Sequence, residues 1–201
     1  YGMAFSANYD GQGYDVIDLY IDTEEAEQGL FGYTDGANIS NLGVTDAFVN
    51  GSAAVGALVG YCGYSTITNC YSTGSISGEE TAGGLIGDAE ESNFTGCYSS
   101  CTINSGVTSG GLISSTSTTT ITECYSTGNV FSDVHSGGLV GYAEFTDIFE
   151  SYSISAVTSM IIAGGFVAFS GPVYIENCYS KGNVTSDVSG GFIGVAVRSG
   201  E

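Results

Sequence analysis

Cations are almost missing from this chain: Lys181 and Arg198 stand against 22 Asp and Glu, giving a net charge of −20. A nucleic-acid-binding face must neutralise phosphates, and two cations cannot build one. The same shortage excludes docking to anionic lipid through Lys and Arg. No apolar run approaches the roughly 18 residues that span a bilayer. The chain opens without a charged-then-apolar leader, and on Tyr1 rather than Met, which reads as a mature or excised product. Proline and histidine occur once each, and the good helix formers Lys, Arg, Leu and Gln are scarce.

What is present points to strands. Gly supplies 32 positions, and Ser, Thr, Val, Ile and Tyr are abundant. Hydrophobic residues make up 42% of the chain, too many for a disordered acidic tail. The composition predicts one folded, acidic, all-β domain.

The order within that composition is a repeat. Gly83-Gly84-Leu85-Ile86 returns as Gly110-Gly111-Leu112-Ile113, Gly137-Gly138-Leu139-Val140, Gly164-Gly165-Phe166-Val167 and Gly190-Gly191-Phe192-Ile193. Weaker copies precede it at Gly29-Leu30-Phe31-Gly32 and Ala57-Leu58-Val59-Gly60. Cys70-Tyr71-Ser72, Cys97-Tyr98-Ser99, Cys124-Tyr125-Ser126, Ser151-Tyr152-Ser153 and Cys178-Tyr179-Ser180 keep a beat of 27 residues. Ile67, Phe94, Ile121, Ile148 and Ile175 keep it too, as do Ile76, Ile103, Val130, Val157 and Val184.

A 27-residue period without helix formers predicts a parallel β-helix, or β-solenoid, in which each coil stacks on the last. Stacked strands lie about 4.8 Å apart, so equivalent residues form ladders along the axis. Alternation places Cys70, Ser72, Gly74 and Ile76 inward and Tyr71, Thr73 and Ser75 outward. Small inward residues imply a thin coil. The Gly-Gly pair implies a turn with positive φ or a close contact between walls.

The blocks G-G-L-[IV]-G and I-x-N-C-Y-S-x-G-x-[IV] resemble the GLUG-motif repeats of bacterial and archaeal secreted and cell-surface proteins. The stretch from Phe5 to Ile21, then Gly29 to Gly32 and Ile39 to Gly43, is similar to the segment that often precedes such repeats. The resemblance implies an extracellular, right-handed β-solenoid of the kind found in adhesins and large surface proteins, and it implies no reaction. Local departures are Cys101 for Gly, Ser151 for Cys, and Ser114 and Ala168 for the Gly that closes the first block. On this reading residues 1–28 are an N-terminal strand or cap segment, and 29–201 are seven coils, the last incomplete.

Four of six cysteines, Cys70, Cys97, Cys124 and Cys178, share one inward phase. Ladder neighbours lie within disulfide reach, but parallel Cβ vectors suit a buried column of small apolar groups better than bridges. A bridge between Cys97 and Cys101, or between ladder neighbours, stays open, and no CxxC suggests zinc.

On the outside, Tyr71, Tyr98, Tyr125, Tyr152 and Tyr179 form a stripe that either binds sugar rings, a loop or a neighbouring subunit, or only steadies a sheet face. Glu123 and Glu150 share a phase on adjacent coils, where Asn69, Gly96 and Asn177 stand elsewhere. Two such charges repel by roughly 3 kcal/mol at an effective dielectric near 20, and a shared Ca²⁺ would reverse that cost. The remaining acidic clusters, Asp15 to Glu27, Glu79-Glu80 and Asp88 to Glu91, read as solvated surface. N-x-[ST] sequons at Asn38, Asn50, Asn93 and Asn183 are glycosylation acceptors in a host that glycosylates. A Thr face for ice fails on register, since its best phase reads Thr73, Ser100, Thr127, Ile154 and Lys181.

A glycosidase needs two carboxylates facing across a groove, and nothing singles out a pair. His135 is alone, and no Ser-His-Asp set is suggested. The expectation is a non-enzyme that requires no cofactor. Open strand edges at each end of a solenoid invite pairing, and a heterologous contact that does not close makes a filament. The leading reading is a secreted, cell-surface structural subunit that self-associates head to tail. The alternative is an adhesin segment binding glycan or host protein through the Tyr stripe and loops. A polysaccharide-acting enzyme is the third reading.

Overall fold

The computed structural model describes residues 3–197. Tyr1, Gly2 and residues 198–201 lie outside them. Among the described residues every strand pairing is parallel, in sheets of 17, seven and six strands that run the length of a solenoid. One coil shows the path. The chain follows a wide wall through Thr66–Thr68 and Tyr71–Gly78, then a short wall at Thr81–Gly83. It reverses at the Gly-Gly pair and returns along Ile86–Glu90 to the next wide wall at Asn93. The register carries the repeat: Ile86 pairs with Ile113, Ile113 with Val140 and Val140 with Val167.

The N-terminal segment forms strands. Asn8–Ile17 and Tyr20–Asp22 pair in parallel with Asn38–Gly51, so they form the first rung of the wide wall. Val16, Leu19 and Ile21 pack on the core. A bulge between Asp10 and Tyr14, with Gln12 at φ 54° and Gly13 at φ 79°, interrupts the beat and hides this rung from a search for period.

Two corners give the coil its shape. At one, Asn41, Asn69, Glu123, Glu150 and Asn177 all have φ between 48° and 56°, and Gly96 has φ 65°. At the other, Tyr64, Glu91, Thr118 and Phe145 fall between 45° and 52°. A left-handed residue turns the chain sharply, and the next N–H is left without a place in the ladder. An inward thiol or hydroxyl from the following rung accepts it. Cys97 N–H donates to Cys124 Sγ at 3.3 Å, Cys124 N–H to Ser151 Oγ at 3.0 Å, and Ser151 N–H to Cys178 Sγ at 3.4 Å. Each acceptor also donates to a carbonyl two residues earlier, as in Cys124 Sγ to Thr122 O at 3.2 Å and Ser151 Oγ to Phe149 O at 2.7 Å. The second corner repeats the device, with Ala37 N–H on Ser65 Oγ and Ser65 N–H on Ser92 Oγ, both at 3.0 Å.

The cysteines are therefore hydrogen-bonding groups as well as packing groups. All six are free; Cys70, Cys97 and Cys124 are buried, and Cys178 on the last rung is half-buried. Neither Cys97 and Cys101 nor any ladder pair is bridged.

Wall-to-wall contact, not a positive φ, accounts for the Gly-Gly pair. A Cβ on Gly111 would overlap the carbonyl of Gly138 and press on Ser126. Across this narrow space Ser72 Oγ donates to Gly84 O at 2.9 Å, and Ser126 Oγ and Ser180 Oγ donate to Gly138 O and Gly191 O. The inward set keeps Cys70, Ser72 and Ile76 buried, while Gly74 is half-buried with φ 131°.

Cys124→Ser should leave stability nearly unchanged, because Ser151 already performs that role one rung on. Cys124→Val removes the acceptor for Cys97 N–H and should cost about 1–3 kcal/mol in urea denaturation.

Candidate functional site

The tyrosine stripe is a continuous stack. Centroids of Tyr71, Tyr98, Tyr125, Tyr152 and Tyr179 are 4.8 to 5.0 Å apart, and successive ring planes differ by 2° to 4°. The outward phase of parallel rungs in register imposes this, since each Tyr pairs directly with the next. The first four rings are half-buried, and Tyr179 is 54% exposed at the end of the stack. Ring faces are spent on one another, so the stripe offers solvent edges and hydroxyls rather than faces.

The column continues with different residues below. Tyr71 pairs with Gly43, and Gly43 with Asp15. A Cβ at Gly43 would collide with the Tyr71 ring. With that position empty, the Tyr71 hydroxyl reaches across to donate to Asp15 Oδ1 at 2.5 Å. This bond to a carboxylate, with some burial, pushes the Tyr71 phenol up to about 12.

Glu123 and Glu150 occupy the left-handed corner and point into solvent. Their neighbours in that column explain the phase: Asn69 Nδ2 donates to Asn41 Oδ1 at 3.2 Å, and Asn41 Nδ2 to Asp10 Oδ1 at 3.0 Å. Asn and Gly are the residues this backbone favours. Among the described residues no three His, Cys, Asp or Glu are grouped to hold a metal ion, and two carboxylates supply only part of the six to eight oxygens Ca²⁺ takes.

Asn38, Asn93 and Asn183 are exposed on the wide-wall side, though Asn38 Nδ2 donates to Asn8 Oδ1 at 2.8 Å; Asn50 is half-buried, donating to Asp22 Oδ1 at 2.9 Å and accepting from Ser77 Oγ at 2.7 Å. His135 is half-buried, its Nδ1 3.4 Å from Thr108 Oγ1 and its ring 5.5 Å from Phe169, and burial lowers its pKa.

A family model for the GLUG motif matches residues 51–77, the span of one whole coil. The chain carries the GLUG motif. A crystal structure of a candidate immunoglobulin A1 protease from Bacteroides ovatus has the same fold, with a TM-score of 0.74 at 22% identity. The match covers 94% of this chain and 68% of that one. No curated protein matches the chain by sequence.

The returning wall of the coils holds features that the sequence did not disclose. Its outward column runs Tyr33, Tyr61, Asp88, Ser115, Tyr142 and Phe169. Tyr61 donates to Glu90 across one rung. A cavity of about 740 Å³ opens at the N-terminal end, lined by Phe5, Phe31, Tyr33, Tyr61, Met3 and Glu27. Asp88 departs from the solvated surface assigned to its cluster. Its Oδ1 is buried without a partner, and burial, with the Glu80 carboxylate, pushes it up to about 6. Its place between Tyr61 and Ser115 becomes visible only once the coils are in register.

Two outcomes follow from these placements. Glu123→Asn and Glu150→Asn should each stabilise the fold by about 1 kcal/mol, relieving the left-handed strain and the repulsion between them, as read from thermal midpoints. Because the folded-state pKa of Asp88 is raised, its contribution is intact below about pH 4 and lost as pH rises through about 6. Asp88→Asn should therefore gain up to about 3 kcal/mol over the parent at neutral pH, with the difference vanishing in acid.

Proposed function

We propose that this chain is a non-catalytic structural segment of an extracellular surface protein, a rod that lengthens by adding rungs end to end with further copies. The last rung supports this reading. Ile175, Cys178, Phe192 and Ile193 are only partly covered, whereas Ile148, Cys124, Phe166 and Val167 at the same phases are fully buried. That face presents the register and the apolar phases that every internal coil satisfies with its neighbour. Burial of a large aliphatic or aromatic side chain is worth about 1.5–3 kcal/mol, so covering this face with a further rung is favourable.

Charge sets the conditions. The first rung carries Asp10, Asp15, Asp18 and Asp22, and the whole chain −20, so copies repel at low ionic strength. Lys181 lies exposed on the last rung and offers those carboxylates one partner. An extracellular setting agrees with the motif, and no helix among the described residues is long and apolar enough to cross a membrane. The adhesin alternative draws support from the hydroxyl row of the Tyr stripe and the aromatic-lined cavity, but stacked faces leave sugar rings little to lie on.

Sedimentation velocity across a concentration series should show species growing with protein and with added NaCl, and negative-stain microscopy should show rods of variable length. Tyr179→Asp, which places a charge on the exposed face, should abolish the growth. A single small species at every concentration and salt level would overturn the reading.

A further inference from the structure

The Tyr stack has a property that a supporting role does not use. The chain contains no Trp, and five of its six cysteines, Cys62, Cys70, Cys97, Cys101 and Cys124, are sealed at 0% exposure, with Cys178 half-buried. Tyrosines, with the Cys178 thiol, are therefore the readiest one-electron donors within reach of a diffusible oxidant. Five of them overlap in one column with centroids no more than 5.0 Å apart and near-parallel planes. An electron can pass between such rings without displacing atoms.

A phenol that has lost an electron is a strong acid, and the vacancy becomes stable where its proton can leave. Of the five ladder hydroxyls, among the described residues only that of Tyr71 is held by a carboxylate, Asp15 Oδ1 at 2.5 Å. Asp15 serves twice: its negative charge favours a positive vacancy on the adjacent ring, and its oxygen takes the proton over a short, charge-assisted bond. Tyr179, at the far end of the stack, is the ladder ring most open to solvent, at 54% exposed.

We propose that the tyrosine ladder is a one-electron oxidation site in which a vacancy created on any ring migrates along the stack and settles on Tyr71, with its proton passing to Asp15. The co-reactant is a diffusible one-electron oxidant. It gains one electron, Tyr71–OH becomes the neutral phenoxyl radical, and the Asp15 carboxylate becomes the carboxylic acid, which then returns its proton to water. The ladder thus collects oxidative hits from a length of about 20 Å and delivers them to one residue. The inference does not rest on end-to-end association.

The test is limited photo-oxidation of the full chain with a ruthenium bipyridyl complex and persulfate in the presence of the nitroxide TEMPO, which traps tyrosyl radicals. Adducts are then located by peptide mass spectrometry. Among the ladder residues, Tyr71 should carry most of the adduct and the more exposed Tyr179 little. Asp15→Asn, which keeps an acceptor oxygen but not a base, should lose the Tyr71 preference. Tyr125→Phe keeps a stacked ring that cannot carry the vacancy, so adduct should fall at Tyr71 and rise at Tyr152 and Tyr179. Labelling that follows exposure, with Tyr179 highest in all three proteins, overturns the proposal. So does Tyr71 labelling that is indifferent to Tyr125→Phe, which would mean direct attack instead of migration.

Discussion

Closure of each coil rests on the approach of the Gly-Gly reversal to the serine row of the wide wall. Ser72 reaches Gly84 O at 2.9 Å across the core, and Ser126 and Ser180 make the same bond in their own coils. No side chain larger than hydrogen fits at Gly111 or Gly138 without meeting the neighbouring carbonyl. The walls therefore close on one another with main chain and hydroxyls, while Ile, Leu, Val and Phe fill the wider parts. Where the interior is this narrow, its polar groups must find partners inside it. The corner thiols and hydroxyls meet that demand for the N–H groups that leave the ladder.

Much of this was legible because stacking forces equivalent residues to recur. The 27-residue beat in Leu85, Leu112, Leu139 and Phe166 announces the coil, and the alternation from Cys70 to Ile76 identifies its inner face. The first rung reads as a strand but not as a coil, because the bulge between Asp10 and Tyr14 breaks the beat. Asn69, Gly96 and Asn177 carried the signature of a left-handed corner, but Glu123 and Glu150 in the same column suggested paired ligands instead. The cysteine column reads as packing or bridging, not as a row of hydrogen-bond acceptors. Its one substitution by Ser151 was the clue that the position needs a polar atom. Asp88 gave no signal, since nothing in the local sequence reveals what covers a side chain on an outer wall.

The acidic surface and the aromatic columns act on different scales. Most carboxylates face water, where their repulsion is screened and acts mainly on encounter between molecules. Several accept from a tyrosine hydroxyl, Asp15 and Glu90 among them, and these two fix the orientation of a ring in the column each serves. A uniform charge thus coexists with specific contacts that depend on a rung or two of separation.

The parallel register also determines how the molecule would bear load. Main-chain hydrogen bonds between rungs run along the long axis, so tension along it strains one rung-to-rung interface at a time. A coil that peels away releases its 27 residues, about 90 Å of slack when fully extended, before the next interface feels the pull. Stretching would therefore proceed in equal steps, each set by the bonds of a single coil. A rod built this way yields gradually and shortens again by rewinding, and its resistance does not grow with its length.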